Sequence, residues 1–474
     1  MNRIIPLVLA VALFMEQMDS NVISTSLAAI ARDIGTSPIA LKLALTSYLV
    51  SLAVFIPVSG WMADRYGARN VFRAAIAVFV IGSVTCAASN SLMSFVVARF
   101  LQGAGGAMMT PVGRLVLLRS TPRNQLVNAM AWLAIPSMVG PLVGPPVGGF
   151  ITTYFSWHWI FLINVPIGLA GIWFATRYLP VLDVPMPRKL DVTGFILSGL
   201  AMSGVVFGLS VVSLPALPPA VGIITLGIGV LSTILYIQHA KRVENPLLDL
   251  SLFKNDVFRI SVAGGSLFRL GIGAIPFLLP LMLQLGFGLD PFQSGMITFV
   301  SAIGALLMKF GASRIFARFG FRRLLMFGSL ASACFIILNG FFTPQTPMMF
   351  ILAALLFGGF LRSMFFTGVN ALGFAEIPDD KTSQATPISA VAQQVSIAMG
   401  VALAGVILEL STIIRGSALQ IEDFHIAFFV VGGISALAFF SFVKLKPEAG
   451  QELYEKKTRA ETAENPLNTG CREN

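Results

Sequence analysis

The sequence predicts an all-α polytopic membrane protein, and three observations carry that prediction. Of its 474 residues, 56% are hydrophobic and only 11% charged, against about 25% charged in soluble domains. Fourteen apolar stretches each reach the roughly 20 residues that a bilayer-spanning helix requires. Arg and Lys cluster in alternate connections between these stretches, the pattern that sets membrane orientation.

The stretches lie near 5–30, 40–62, 71–89, 93–117, 125–150, 156–179, 192–213, 219–239, 257–285, 292–313, 322–342, 346–375, 384–410 and 424–444. The first runs on through Glu16 and Asp19 with no small-residue cleavage pattern, so it reads as a retained span and not a signal peptide. Thr36–Pro38, Thr121–Pro122, Pro215–Pro219, Asp290–Pro291 and Thr343–Pro347 punctuate the spans. Arg65, Arg69 and Arg73 follow the second span, Arg119 and Arg123 the fourth, and Arg177, Arg188 and Lys189 the sixth. Lys241, Arg242, Lys254 and Arg259 follow the eighth, and Arg314, Arg318, Arg322 and Arg323 the tenth. The opposite connections carry few, with Arg32 and Arg415 the main exceptions. Both termini are therefore expected in the cytoplasm of a multi-pass cell (inner) membrane protein.

The net charge of +10 reads as topology and not as nucleic-acid binding. Cys86, Cys334, Cys471, His158, His239 and His425 are scattered. Neither a disulfide, a metal site nor a cofactor is expected. The polar tail, 447–474, reads as disordered.

Residues 140–149, within the fifth span, hold four glycines and three prolines. That composition would break a soluble helix but is tolerated in a membrane helix. Glycines four apart share a face and admit a close neighbour, while the prolines bend the helix. A second pattern repeats. Gly60-Trp-Met-Ala-Asp64-Arg65-Tyr66-Gly67-Ala-Arg69 after span two is echoed by Ser313-Arg-Ile-Phe-Ala317-Arg318-Phe319-Gly320-Phe-Arg322 after span ten, with Asp64 replaced by Ala317. Internal repeats of this kind predict two related halves with a substrate site between them. The expected organisation is a six-helix bundle over 1–180, two inserted helices with linkers over 181–250, and a second six-helix bundle over 251–446.

With these motifs the chain resembles the major facilitator superfamily, in its fourteen-span drug:proton antiporter branch. Gly60, Asp64, Arg65, Gly67 and Arg69 match the family's loop motif, with Ala68 departing from it. Arg99-Phe-Leu-Gln102-Gly103 matches the span-four motif. Gly140, Gly144, Pro145, Gly148 and Gly149 match the span-five antiporter motif. Asp19 in Met18–Val22 resembles the span-one acidic motif, and Trp157–Gly168, with Asn164, is similar to this branch. The resemblance implies a major facilitator fold, alternating access, and multidrug efflux of amphipathic small molecules in exchange for protons. It also implies that the loop cluster latches the outward-open state. The glycine run would close the outer seam against Gly295–Lys309.

Ionisable groups inside spans are costly and so mark function. Glu16 and Asp19 share one helix face. At 1.5 Å per residue, Asp19 lies roughly 21 Å from the cytoplasmic start of its span, and Arg99 about 10 Å in from the opposite side. In a core of about 30 Å these depths agree, which predicts that Asp19 and Arg99 face each other. The pair reads as a proton-coupling element; a static ion pair is the competing reading. Glu16 reads as either the titrating acid or a substrate contact. Gln102, Arg269, Arg362, Asn370, Gln393 and Gln394 are expected to line the substrate cavity, the two arginines favouring an anionic substrate group. An exporter dedicated to an acidic metabolite, siderophore or lipid-like compound is therefore the second reading. Lys309 and Arg114 read as snorkelling to the inner surface, and Glu409 as reaching interfacial water. No nucleophile–base set, HExxH or phosphate-binding loop is present, so an enzyme is not expected. The working unit is expected to be a monomer in membrane lipid.

Overall fold

The computed structural model describes residues 4–121, 126–181, 189–212, 214, 217–378 and 381–450. Every regular element among them is helical, and fourteen helices are long. They are α1 (Ile4–Val22), α2 (Lys42–Phe55), α3 (Ala68–Ala87), α4 (Leu92–Ser120), α5 (Leu126–Tyr154), α6 (Asn164–Tyr178), α7 (Val192–Val211) and α8 (Pro219–Ala240). The rest are α9 (Asp256–Leu281), α10 (Pro291–Phe319), α11 (Phe321–Asn339), α12 (Met348–Gly373), α13 (Thr382–Arg415) and α14 (Ile421–Ala436). Thirteen of them, with short continuations, are long and apolar enough to cross a membrane. The other, α5, runs unbroken for 29 residues through its prolines. The first span ends earlier than expected: a 3-10 turn, Ile23–Thr25, and a short helix, Leu27–Asp33, replace its continuation. The tail expected to be disordered lies outside the described residues from 451 onward.

Polar punctuation in the sequence becomes helix caps. Ser91 and Ser94 form a capping box for α4, and Asp290 and Gln293 one for α10. Asp191 caps α7 by accepting from the Gly194 amide at 2.8 Å. It also accepts from His239 Nε2 at 2.7 Å and the Leu247 amide at 3.2 Å, tying the start of α7 to the end of α8. Burial pushes its carboxyl up, but these bonds outweigh burial and hold it below the usual range. A depressed carboxyl stabilises the fold above its unfolded pKa and loses that contribution as pH falls through the folded value. Asp191→Ala is accordingly expected to cost about 1–2 kcal/mol at neutral pH, read as a lower melting temperature of the purified protein. The difference from wild type should shrink below about pH 4.

Within the first half, α1 packs on α5, and α2 and α3 pack on α4; within the second, α9 packs on α13, and α10 and α11 on α12. The two halves meet where α5 touches α10 and α2 touches α13. α7 and α8 pack on each other so closely that a Cβ at Gly204 would stand 2.5 Å from Gly229 Cα, and α7 leans on α2 and α13. The sequence echo has a structural counterpart. Gly67 and Gly320 have φ of +84° and +73°, and each joins one helix directly to the next. That conformation suits glycine because it has no Cβ.

The end carrying Gly67 and Gly320 is called the loop-motif end, and the opposite one the far end. The apolar core forms several clusters. One cluster draws Val22, Phe95 and Phe161 of the first half together with Phe268, Phe277 and Phe342 of the second. A second cluster, containing Leu13, Phe72 and Val116, belongs to the first half alone.

Candidate functional site

Five helices of the first half converge on one buried carboxylate. Asp19 on α1 accepts from Arg99 Nη1 of α4 at 2.7 Å, from Gln102 Nε2 at 2.8 Å, and from Asn164 Nδ2 of α6 at 2.7 Å. Gln102 Nε2 also donates to Ser83 Oγ of α3 at 2.9 Å, and Arg99 Nη1 donates to Gln102 Oε1 at 2.5 Å. The Arg99 guanidinium lies 4.3 Å from the centroid of the Tyr48 ring of α2, a cation–π arrangement. Asp19 and Gln102 are 0% exposed and Arg99 1%. The expected Asp19–Arg99 contact is thus present. Gln102 is not on a cavity wall, because both ends of its amide are used inside this network.

Glu16, one turn from Asp19, is also buried but differently held. Its Oε2 accepts from the Thr110 hydroxyl at 2.8 Å, and Gln17 Nε2 lies 3.5 Å from Oε1. Tyr48 Oη is buried with no hydrogen-bond partner among the described residues. A Cβ at Gly106 would lie 3.1 Å from that hydroxyl and 3.5 Å from Glu16 Cγ, which puts the two side chains against the same turn of α4.

A second buried ion pair joins the halves. Lys42 Nζ of α2 meets Glu409 Oε2 of α13 at 2.6 Å, with the side chains 0% and 4% exposed. Glu409 therefore does not reach interfacial water, and Lys42 is its counter-charge. Gly405 leaves room for the lysine stem. The far end is further closed by Gln284 Nε2 donating to Thr25 O at 2.8 Å and the Phe292 amide donating to Thr153 Oγ1 at 3.1 Å. Phe150 and Tyr154 stack their edges on Phe292, with centroids 6.0 and 5.9 Å apart.

The α5 glycines divide between two neighbours. Gly140, Gly144 and Gly148 face α1, where Cβ atoms would run into Gln17 and Met18, Asn21, and the Val22 carbonyl. Gly149 faces α10 at Pro291–Phe292, and Pro145 and Pro146 face it at Gly295. The seam thus includes Gly295, the start of the expected Gly295–Lys309 stretch, and also takes in Pro291–Phe292. Beyond it the halves part around a cavity of about 260 Å³. Asn21, Pro141, Leu142 and Pro145 line one wall, and Ile275, Ser301, Lys309 and Arg362 the other.

Arg362 lines this cavity as expected, donating to Ser301 Oγ at 3.0 Å. Arg269 does not. It is buried within the second half, donating to Asn370 Oδ1 at 2.9 Å, with Phe366 5.3 Å away. Asn370 is exposed and Gln393 and Gln394 are half-buried, and none of the three borders the cavity. Lys309 is exposed, borders the cavity and donates to Thr367 Oγ1 at 2.7 Å. Arg114 is exposed. At the loop-motif end Asp64 binds Arg119 Nη2 at 2.9 Å, and Arg69 donates to the Thr176 carbonyl near the end of α6. Both partners lie in the first half, and among the described residues these two side chains make no bond to the second half. Arg65 and Gly60 are exposed. No group of three or more metal-ligating side chains occurs among the described residues.

Sequence reasoning missed Lys42, Tyr48, Ser83 and the role of Asn164. For Asn164 a signal existed: it falls about 12 Å into span six from the far side, close to the depth of Arg99. Lys42 had none, because its partner is 367 residues away.

The family model for the Major Facilitator Superfamily matches residues 9–238 and 262–469. A Cronobacter sakazakii protein carrying the name multidrug resistance protein MdtD is 37% identical over 402 residues, 85% of each chain. Its namesake from Pectobacterium atrosepticum is 36% identical over 401 residues, 85% of this chain and 86% of the other. Among solved structures, a D-xylose-proton symporter superposes with a TM-score of 0.69 at 18% identity, covering 94% of this chain and 98% of that one. The nucleoside transporter NupG gives 0.64 at 15%, covering 94% and 100%. The chain belongs to the major facilitator superfamily and is a multi-pass membrane transporter.

Proposed function

We propose that the protein exports amphipathic small molecules in exchange for protons by alternating access, with both termini and the loop-motif end in the cytoplasm. The observation that carries this reading is the pair of buried acids one turn apart on α1, held in different ways. Asp19 has three donors, one of them a guanidinium, so a proton arriving there would displace an ion pair. Glu16 is held by a hydroxyl and an amide. It can take a proton and keep the Thr110 contact, since a hydroxyl both donates and accepts. Glu16 is therefore the proton carrier in this reading, and Asp19–Arg99 the rigid frame beside it.

Several further features support it. The far end is closed by contacts between the halves, and a cavity lies between them, as one state of an alternating-access cycle requires. Basic residues gather at the loop-motif end. Relatives named for multidrug resistance favour drug-like substrates.

Drug-hypersensitive cells expressing the chain should accumulate less of at least one dye from a cationic, neutral and anionic amphipathic panel, and a protonophore should restore accumulation. Unchanged accumulation across the whole panel, with the protein present in the membrane, would contradict the export reading.

A further inference from the structure

The cations within the spans of this protein differ in their partners. Arg99 and Lys42 each meet a carboxylate. Half-buried Arg362 and exposed Lys309, which border the cavity between the halves, have hydroxyl partners instead, Ser301 and Thr367. A hydroxyl satisfies one donor but neutralises no charge, and a guanidinium has five N–H donors in a fork suited to a carboxylate. Among the described residues no Asp or Glu lines the cavity. The α5 part of the facing wall, Pro141, Leu142 and Pro145, is apolar, and Asn21 and Ser24 beside it are polar but uncharged. A cation pair within a membrane that faces no carboxylate is costly unless a ligand supplies the missing charge.

We propose that Arg362 and Lys309 form an anion-binding subsite for the acidic group of an amphipathic ligand whose apolar body lies against α5. The proposal rests on the export reading for its biological setting but concerns binding alone. The cavity, about 260 Å³, is near the lower end of small-molecule pockets, about 300 Å³, which suits a bicyclic aromatic acid. Lys309 lies 18 residues along α10 from Pro291, and Arg362 lies 14 along α12 from Met348. These place them about 27 and 21 Å from the far end. A ligand arriving from the loop-motif end thus meets Lys309 about one helix turn before Arg362. The lysine would capture the acid as a mobile point charge, and the arginine would hold it in a fixed geometry.

Equilibrium binding to the purified full-length protein in nanodiscs tests this, with 1-naphthylacetate, 1-naphthylacetamide and 1-naphthylmethylammonium as probes of matched shape. Naphthylacetate should bind about tenfold or more tightly than the amide. Arg362→Gln and Lys309→Gln should each erase most of that preference while amide binding persists, which also reports an intact fold. Arg362→Lys should restore part of it. The subsite is overturned if the wild type prefers the cation or shows no acid preference, or if the double variant binds acid and amide as the wild type does. The two proposals fail separately. An acid preference with no efflux of any amphipath would leave the subsite and remove the exporter, and dye efflux without an acid preference would do the reverse.

Discussion

Asp19→Ala is expected to abolish transport and to destabilise the protein by about 3–5 kcal/mol, because it leaves the Arg99 guanidinium buried without its counter-charge. Gln102 and Asn164 would lose their acceptor at the same time, and a buried unsatisfied donor adds to the cost. Asp19→Asn should be intermediate, since the amide oxygen can still accept but carries no charge. The Asp19→Ala/Arg99→Ala double variant should recover part of the stability lost in the single one, as groups in one network do not add. Thermal unfolding of the purified variants measures this. A wild-type melting temperature for Asp19→Ala would remove the network as a structural centre of the first half.

The second large effect concerns Lys42 and Glu409. Glu409→Ala removes the carboxylate beside a buried lysine at a contact between the halves, again about 3–5 kcal/mol. Here part of the cost can be avoided by opening the far end to water. The variant is therefore expected to populate far-end-open states that the wild type rarely visits. A Thr153→Cys reporter, placed where the halves touch, should react faster with a membrane-impermeant thiol reagent in the Glu409→Ala background. Cys334 is exposed and is replaced by Ser in these variants. Lys42→Met/Glu409→Leu, which fills the space without charge, should return reactivity toward the wild-type rate. Equal rates in all three would show that the pair does not hold the far end shut.

The sequence exposed what depends on depth and concealed what depends on direction. Run length and the spacing of Arg and Lys yield the spans, because a bilayer imposes one length and one charge rule on every helix. Asp19 and Arg99 could be matched because a rise of 1.5 Å per residue converts residue number into depth. Depth does not say which way a side chain points. Arg269 and Arg362 both sit inside spans, yet one turns toward Asn370 within its own half and the other borders the cavity. Gln102 shares a helix face with Arg99, and that proximity draws it into the acid network and away from substrate. The glycine run was legible as a close-packing element, but its faces were not. Three glycines serve α1, and only Gly149 meets α10. Lys42 carries no signal of its role until the fold brings Glu409 to it.

The central claim is that export is driven by protons taken up at Glu16. Its most direct test is in proteoliposomes, comparing wild type with Glu16→Gln for ethidium or 1-naphthylacetate. The wild type should accumulate one of these only when a pH gradient is imposed, and should also exchange labelled for unlabelled substrate without a gradient. Glu16→Gln should keep that exchange and lose gradient-driven accumulation. Gradient-driven accumulation by Glu16→Gln at the wild-type rate, or wild-type accumulation that ignores the gradient, would contradict the account.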